Sequence, residues 1–281
     1  MCPGSLQISY MKPFKHLITS GCSFSHWVVN EETWPSRLGS ELKIPVTNYG
    51  CASAGNSWIA KSAIYGTQLL IDTGTNPEDI LVVVMWSGLD RKDAFISKET
   101  PRFDRLISNY SVNPANFACR DEKVNHWNTS VDSGYLLGSM SCGFDNRNIN
   151  AFKSALIRDY YCDEALAIES YESFLRLQWY CDSHRVSLIN VTFMDILHYP
   201  TYSYQDPGCQ RRVLTKDAYS MNVGPLYSML DLDRWLLWNG TGGSYEYARD
   251  NGLTFNDGMH PSPAAHAHYV INFLIPRINK L

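Results

Sequence analysis

A three-layer α/β/α sandwich built on a central parallel sheet is the fold class this sequence predicts, and three observations lead to it. Residues 80–86, Ile-Leu-Val-Val-Val-Met-Trp, form an unbroken apolar run bounded by Asp79 and by Ser87-Gly88. A run of that length and composition reads as a central parallel strand covered on both faces. Shorter strand-like runs elsewhere alternate with segments whose apolar residues recur at helical spacing, the pattern of a parallel sheet with helical crossovers. Finally, small-residue turns follow the strand-like runs at 21–25, 50–56 and 87–91. Binding and catalytic groups collect at such carboxyl ends in open α/β sheets.

The elements follow in order. Residues 16–20, ending at Gly21, read as a buried strand. Residues 34–42 carry Pro35 near their start and read as a short helix. Residues 46–49 make a second strand before Gly50, and 58–71 a helix. Residues 94–150, rich in Asn, Ser, Asp and aromatics with weak periodicity, read as an insertion of loops and short elements within a single domain spanning 1–281. From Asn150, Phe152, Leu156, Tyr161, Ala165, Ile168, Tyr171, Leu175 and Trp179 recur at spacings of three to five. That predicts a long helix or a helix pair ending near 182–184. Residues 186–193 read as a further strand, 199–225 as turn-rich, 225–238 as helical and 239–244 as a flexible break. Ser262-Pro263 predicts an N-cap and N1 pair opening a last helix to about Pro276.

The bulk numbers narrow the function classes. Hydrophobic residues at 44% and charged residues at 19% exclude a disordered chain. A net charge of −4 gives no electrostatic pull toward nucleic acid, so no nucleic-acid partner is expected. No stretch reaches the ~18 apolar residues of a membrane span. The first residues lack the charged start, apolar run and cleavage site of a secretory signal, so a cytoplasmic location with reduced thiols is the expectation. Eight cysteines without a C-x-x-C pair suggest neither a zinc site nor a redox motif. No cofactor or metal is expected. His266 and His268, two apart on the last helix, face different sides and read as structural. Aromatic residues at 13% suit a large aromatic core and equally a carbohydrate-facing cleft, to which Tyr110, Trp127 and Tyr135 would contribute.

The chemistry concentrates in Gly21-Cys22-Ser23-Phe24-Ser25 near one end and Asp257-Gly258-Met259-His260 near the other. Serine is a poor nucleophile until a base removes its proton, and histidine, with an ordinary value near ~6.5, suits that task. A carboxylate three residues before His260 on one turn has the reach to hold Nδ1–H and leave Nε2 toward Ser23. Cys22 as the nucleophile of a Cys–His pair is the alternative in the same turn.

The order of these blocks resembles the SGNH/GDSL hydrolase family of esterases and lipases, whose sandwich is similar to flavodoxin-like folds. Gly21-Cys22-Ser23 matches its nucleophile turn, with Cys22 where Asp is usual, and Asp257-Gly258-Met259-His260 matches its Asp-x-x-His block. Asn48-x-Gly50 with Ala54-Gly55-Asn56-Ser57 resembles the block that supplies a backbone oxyanion donor. The resemblance implies catalytic Ser23, Asp257 and His260, and an oxyanion hole from the Ser23 and Gly55 N–H groups. It covers about half the chain and departs from the pattern at Ser87-Gly88-Leu89-Asp90, where Leu89 stands in place of an Asn donor. The loss of one such donor typically costs ~10²–10³ in rate. Either Ser87, Arg91 or a backbone N–H replaces it, or the hydrolase is slow or altered. Ser87 and Arg91 are also candidate substrate contacts; Arg91 could hold an anionic group of the substrate, but a surface salt bridge is the simpler reading of it. The expected activity is hydrolysis of an ester, a carbohydrate O-acetyl or small acyl ester, through an acyl-enzyme on Ser23. The alternatives are a non-catalytic binding or assembly protein that retains the fold, and an acyltransferase using the same triad.

Overall fold

The computed structural model describes residues 14–26, 32–52, 54–89, 91–97, 133–139, 163–197, 223–256 and 258–280. Four parallel strands form its sheet: β1 (His16–Gly21), β2 (Val46–Asn48), β3 (Ile80–Trp86) and β6 (Ser187–Thr192), in the order β2-β1-β3-β6. β1 pairs with β3 from His16↔Ile80 to Gly21↔Met85, and β3 with β6 from Leu81↔Ser187 to Trp86↔Thr192. All seven side chains of β3 are buried, as its unbroken apolar run predicts. Each large one contributes about 1.5–3 kcal/mol by leaving water.

Helices cover the two faces. α2 (Asn56–Asp72) packs against α3 (Asp163–His184), and α1 (Trp34–Leu42) against the last helical stretch. The periodic segment expected from 150 is one continuous helix within its described part. It stops after His184, where Arg185 takes the left-handed conformation at φ 58°. The α/β sandwich predicted from the sequence is therefore the architecture of the described residues.

Three elements depart from expectation. β4 (Arg91–Ser97) and β5 (Ser133–Ser139) pair antiparallel, from Arg91↔Ser139 to Ser97↔Ser133; this ribbon supplies short elements of the kind expected over 94–150 but begins three residues before that stretch. Tyr110 and Trp127 of that stretch lie outside the described residues. The expected helix over 225–238 is instead a single turn, α4 (Gly224–Tyr227), and a 3₁₀ turn (Leu232–Arg234) whose start Asp231 caps. Beyond it, Trp235 bridges Asn190 and Leu236 N–H donates to the Asn190 carbonyl. The apolar residues there thus extend the edge of the sheet, and that pairing overrides helical spacing. The last helix begins as predicted, with Ser262 Oγ accepting from Ala265 N–H and Pro263 in the first turn. Preceded by α5 (Ser244–Asp250), this helix, α6 (Pro263–Tyr269), then widens into a π turn (Val270–Leu274) before α7 (Ile275–Ile278). Pro276 lacks an N–H and its ring crowds the carbonyl four residues back, which a wider turn accommodates. Among the described residues no helix is long and apolar enough to cross a membrane.

Candidate active site

In the order β2-β1-β3-β6 the chain leaves β1 toward β2 on one side and β3 on the other. The carboxyl ends of β1 and β3 therefore border the crevice where such sheets place their ligands. The Ser23 turn leaves the end of β1 at that point. Ser25 N–H and His26 N–H both donate to the Cys22 carbonyl, which closes the turn. Cys22 and Phe24 point into the core, while Ser23 between them is half-exposed. Cys22, the alternative nucleophile of this turn, is buried while Ser23 is not.

Neighbouring blocks clamp the turn. Trp34 Nε1–H of α1 donates to Ser25 Oγ (2.9 Å), and Asn48 Nδ2–H, at the end of β2, donates to the Ser25 carbonyl (2.7 Å). Asn48 Oδ1 accepts from Thr19 Oγ1–H and from Gly50 N–H, both at 2.9 Å. Asn48 thereby ties β1, the nucleophile turn and the second loop together. Cys51 N–H donates to the Gly21 carbonyl (2.9 Å). Such close backbone approach requires glycine: a Cβ on Gly21 would collide with Ser25 Oγ, and one on Gly50 would lie 2.7 Å from the Ser25 carbonyl oxygen. Gly21→Ala is expected to destabilise the fold by about 1–3 kcal/mol, as over-packing does. A urea unfolding curve reads that loss directly.

His260 reaches the same point from the far end of the chain. A narrow loop carries it: Phe255 bridges Pro261, Asn256 N–H donates to the His260 carbonyl (2.9 Å), and Ser262 N–H to the Thr254 carbonyl (3.0 Å). His260 Nε2 lies 2.8 Å from Ser23 Oγ. Its ring rests on Phe24, with centroids 4.8 Å apart, and Phe24 meets Phe193 edge-on at 5.2 Å. Phe24 thus seats the His260 ring. Asp257 lies outside the described residues.

His266 packs behind this pair. It is buried, its Nδ1 has no hydrogen-bond partner, and burial followed by the nearby His260 charge pushes its imidazole down to about 4. His268, two residues on, is half-buried instead, with Nδ1 2.7 Å from Tyr247 Oη.

The remaining predicted site residues fall differently. Ser87 is fully buried at the end of β3, and its Oγ has no hydrogen-bond partner. Its backbone is held by Asn56, whose Oδ1 accepts from Ser87 N–H (2.9 Å) and whose Nδ2 donates to the Ser87 carbonyl (3.1 Å). Ser87 is thus a core residue in this structure. Leu89 joins the core as well, at 8% exposure. Gly55 N–H, expected to face an oxyanion, donates instead to Asp93 Oδ1 (2.8 Å), and Trp58 N–H donates to Asp93 Oδ2 (2.7 Å). Gly55 has no side chain with which to cap α2, and the Asp93 carboxylate takes that part from across the site. Burial pushes the Asp93 carboxyl up to about 6, against the two amide hydrogen bonds and the charges of Lys61 and Arg91. Asp93→Ala leaves both amides without their acceptor and is expected to cost about 1–2 kcal/mol, the scale of a lost helix cap, in thermal or urea unfolding. Arg91, two residues earlier on β4, is half-buried beside the Ala54 carbonyl.

Sequence reasoning missed Asn56 and Asp93. An Asn directly after a turn glycine at a helix start was the available signal for the first. Asp93 gave no signal, because its partners lie 35 and 38 residues away.

No family model, curated protein or solved structure significantly matches the chain.

Proposed function

We propose that the protein is a serine hydrolase of the SGNH/GDSL type, cleaving a small acyl or carbohydrate O-acetyl ester through an acyl-enzyme on Ser23. The 2.8 Å separation of Ser23 Oγ and His260 Nε2, at the carboxyl end of β1, carries this reading. It lies within the range needed for direct proton transfer. As Ser23 Oγ bonds to the ester carbonyl carbon, its proton passes to His260 Nε2. The tetrahedral oxyanion collapses, the C–O bond to the alcohol breaks, and His260 returns the proton to the departing oxygen. Water then repeats the sequence: His260 takes its proton as the hydroxide bonds to the acyl carbon, and the Ser23 Oγ–C bond breaks as His260 returns the proton to Ser23 Oγ, releasing the acid. Asp257 is assigned to His260 Nδ1, where it fixes the tautomer and steadies the imidazolium.

The oxyanion hole is the slow part of this design. Ser23 N–H, which meets no acceptor among the described residues, is assigned to the oxyanion. The Gly55 amide is engaged by Asp93 and Leu89 offers no donor, so turnover is expected to be modest. The same two features favour a second reading, a binding protein that retains the fold without turnover. Hydrolysis of p-nitrophenyl acetate and fluorophosphonate labelling of Ser23 decide between them. Folded protein that does neither leaves the binding reading standing. Acyl transfer to an added alcohol in excess of hydrolysis would reassign the chemistry to an acyltransferase.

A further inference from the structure

Arg91 meets three of the four carboxyl-end segments of the sheet. Its N–H donates to the Gly88 carbonyl just after β3 (3.2 Å), and its Nη1–H points to the Ala54 carbonyl of the β2–α2 loop at a long 3.4 Å. Its guanidinium carbon lies 5.9 Å from the centre of the Phe193 ring, just past β6. Phe193 touches Phe24, which follows the nucleophile and carries the His260 ring. One aromatic pair thus connects the cation to the catalytic turn.

The charge of Arg91 acts on the Asp93 carboxylate, but its hydrogen-bonding fork is little used. A guanidinium offers five N–H donors in a planar fork, and among the described residues Arg91 uses one, at long range, and joins no ion pair. Asp93, on the same face of β4 two residues on, has each carboxylate oxygen on an α2 amide. That anchor fixes the strand from which Arg91 projects without engaging its fork. A half-buried cation with spare planar donors, linked to the Ser23 turn through Phe193 and Phe24, matches a carboxylate held by two parallel hydrogen bonds.

We propose that Arg91 is a specificity-determining residue that selects esters bearing a carboxylate; this rests on the hydrolase reading. Asp93 acts through it as a positioning residue.

Two matched substrate pairs test the proposal. 4-Acetoxybenzoate and its methyl ester place the anion on the alcohol side. Mono-4-nitrophenyl glutarate and 4-nitrophenyl pentanoate place it on the acyl side. In one pair the anionic member is expected to exceed the neutral one in kcat/KM by about tenfold, mainly through KM. Arg91→Gln collapses that ratio toward one, and Arg91→Lys restores part of it, because an ammonium keeps the charge without the fork. A wild-type ratio of one or less in both pairs, or an unchanged ratio in Arg91→Gln protein with a wild-type unfolding curve, overturns the proposal. Calorimetry with the same anionic esters on Ser23→Ala protein separates the two layers. Binding that Arg91→Gln weakens, in a protein whose wild type turns over no ester, removes the hydrolase reading and leaves the anion site. Hydrolysis without anion preference removes the anion site alone.

Discussion

Ser23→Ala is expected to lower kcat for p-nitrophenyl acetate by about 10⁴-fold or more, to the background left by binding and the oxyanion donor alone. His260→Ala should fall to nearly the same level, and the double variant little further, because nucleophile and base act as one unit. The measurement is initial-rate kinetics on the three variants, beside fluorophosphonate labelling. Independent, multiplicative losses would mean that the 2.8 Å contact is not the proton path. Retained labelling in Ser23→Ala would move the nucleophile elsewhere. Phe24 gives the prediction a further edge. It seats the His260 ring, so Phe24→Ala should weaken the base through misplacement, on top of the core cavity it opens.

The second large effect concerns acid stability and His266. Burial holds its folded-state value near 4, below the ordinary 6.5, so the unfolded chain takes up the proton first. The contribution is therefore fully present above about 6.5 and is lost progressively as pH falls toward 4. Below that both states are charged and the loss levels off. The shift corresponds to a swing on the order of 3 kcal/mol across this window. His266→Leu removes the titrating group and also the Nδ1 that has no partner, so its cost at pH 7 should be small, within about 1.5 kcal/mol. Urea unfolding at pH 7, 6, 5 and 4 should show the wild type losing stability faster than the variant. Parallel curves would mean that His266 does not govern the acid limb. On the proposed hydrolase reading, a neutral His266 also spares His260 a second cation that would oppose its protonation.

How much of this was legible in the chain depends on distance along it. β3 announced itself because seven consecutive buried side chains need no information beyond their own hydrophobicity. Ser23 and His260 were legible as residue types at the ends of predicted elements, and the start of the last helix as Ser262-Pro263. The short β2 and the α2 boundaries came within two residues, set by local turn chemistry. The stretch 225–238 misled because Trp235 and Leu236 follow helical spacing yet settle on Asn190 at the sheet edge. Sequence alone cannot weigh that tertiary partner against local propensity. Gly55 and Ser87 went astray for a related reason. Their fates were decided by Asp93 and Asn56, whose side chains reach across 31 to 38 residues of chain.

The contact between Ser23 and His260 joins residues 237 apart in sequence. Closing so long a loop is a non-local event, costly in chain entropy and favoured only after nearer contacts have formed. The sheet strands β1, β2 and β3 can pair within the first third of the chain, whereas the base reaches the nucleophile when α6 docks on α1. A folding chain therefore carries a complete nucleophile turn before it carries an activated one. Reactivity at Ser23 reports the last step of assembly, and recovery of labelling after dilution from denaturant should lag recovery of helical circular dichroism.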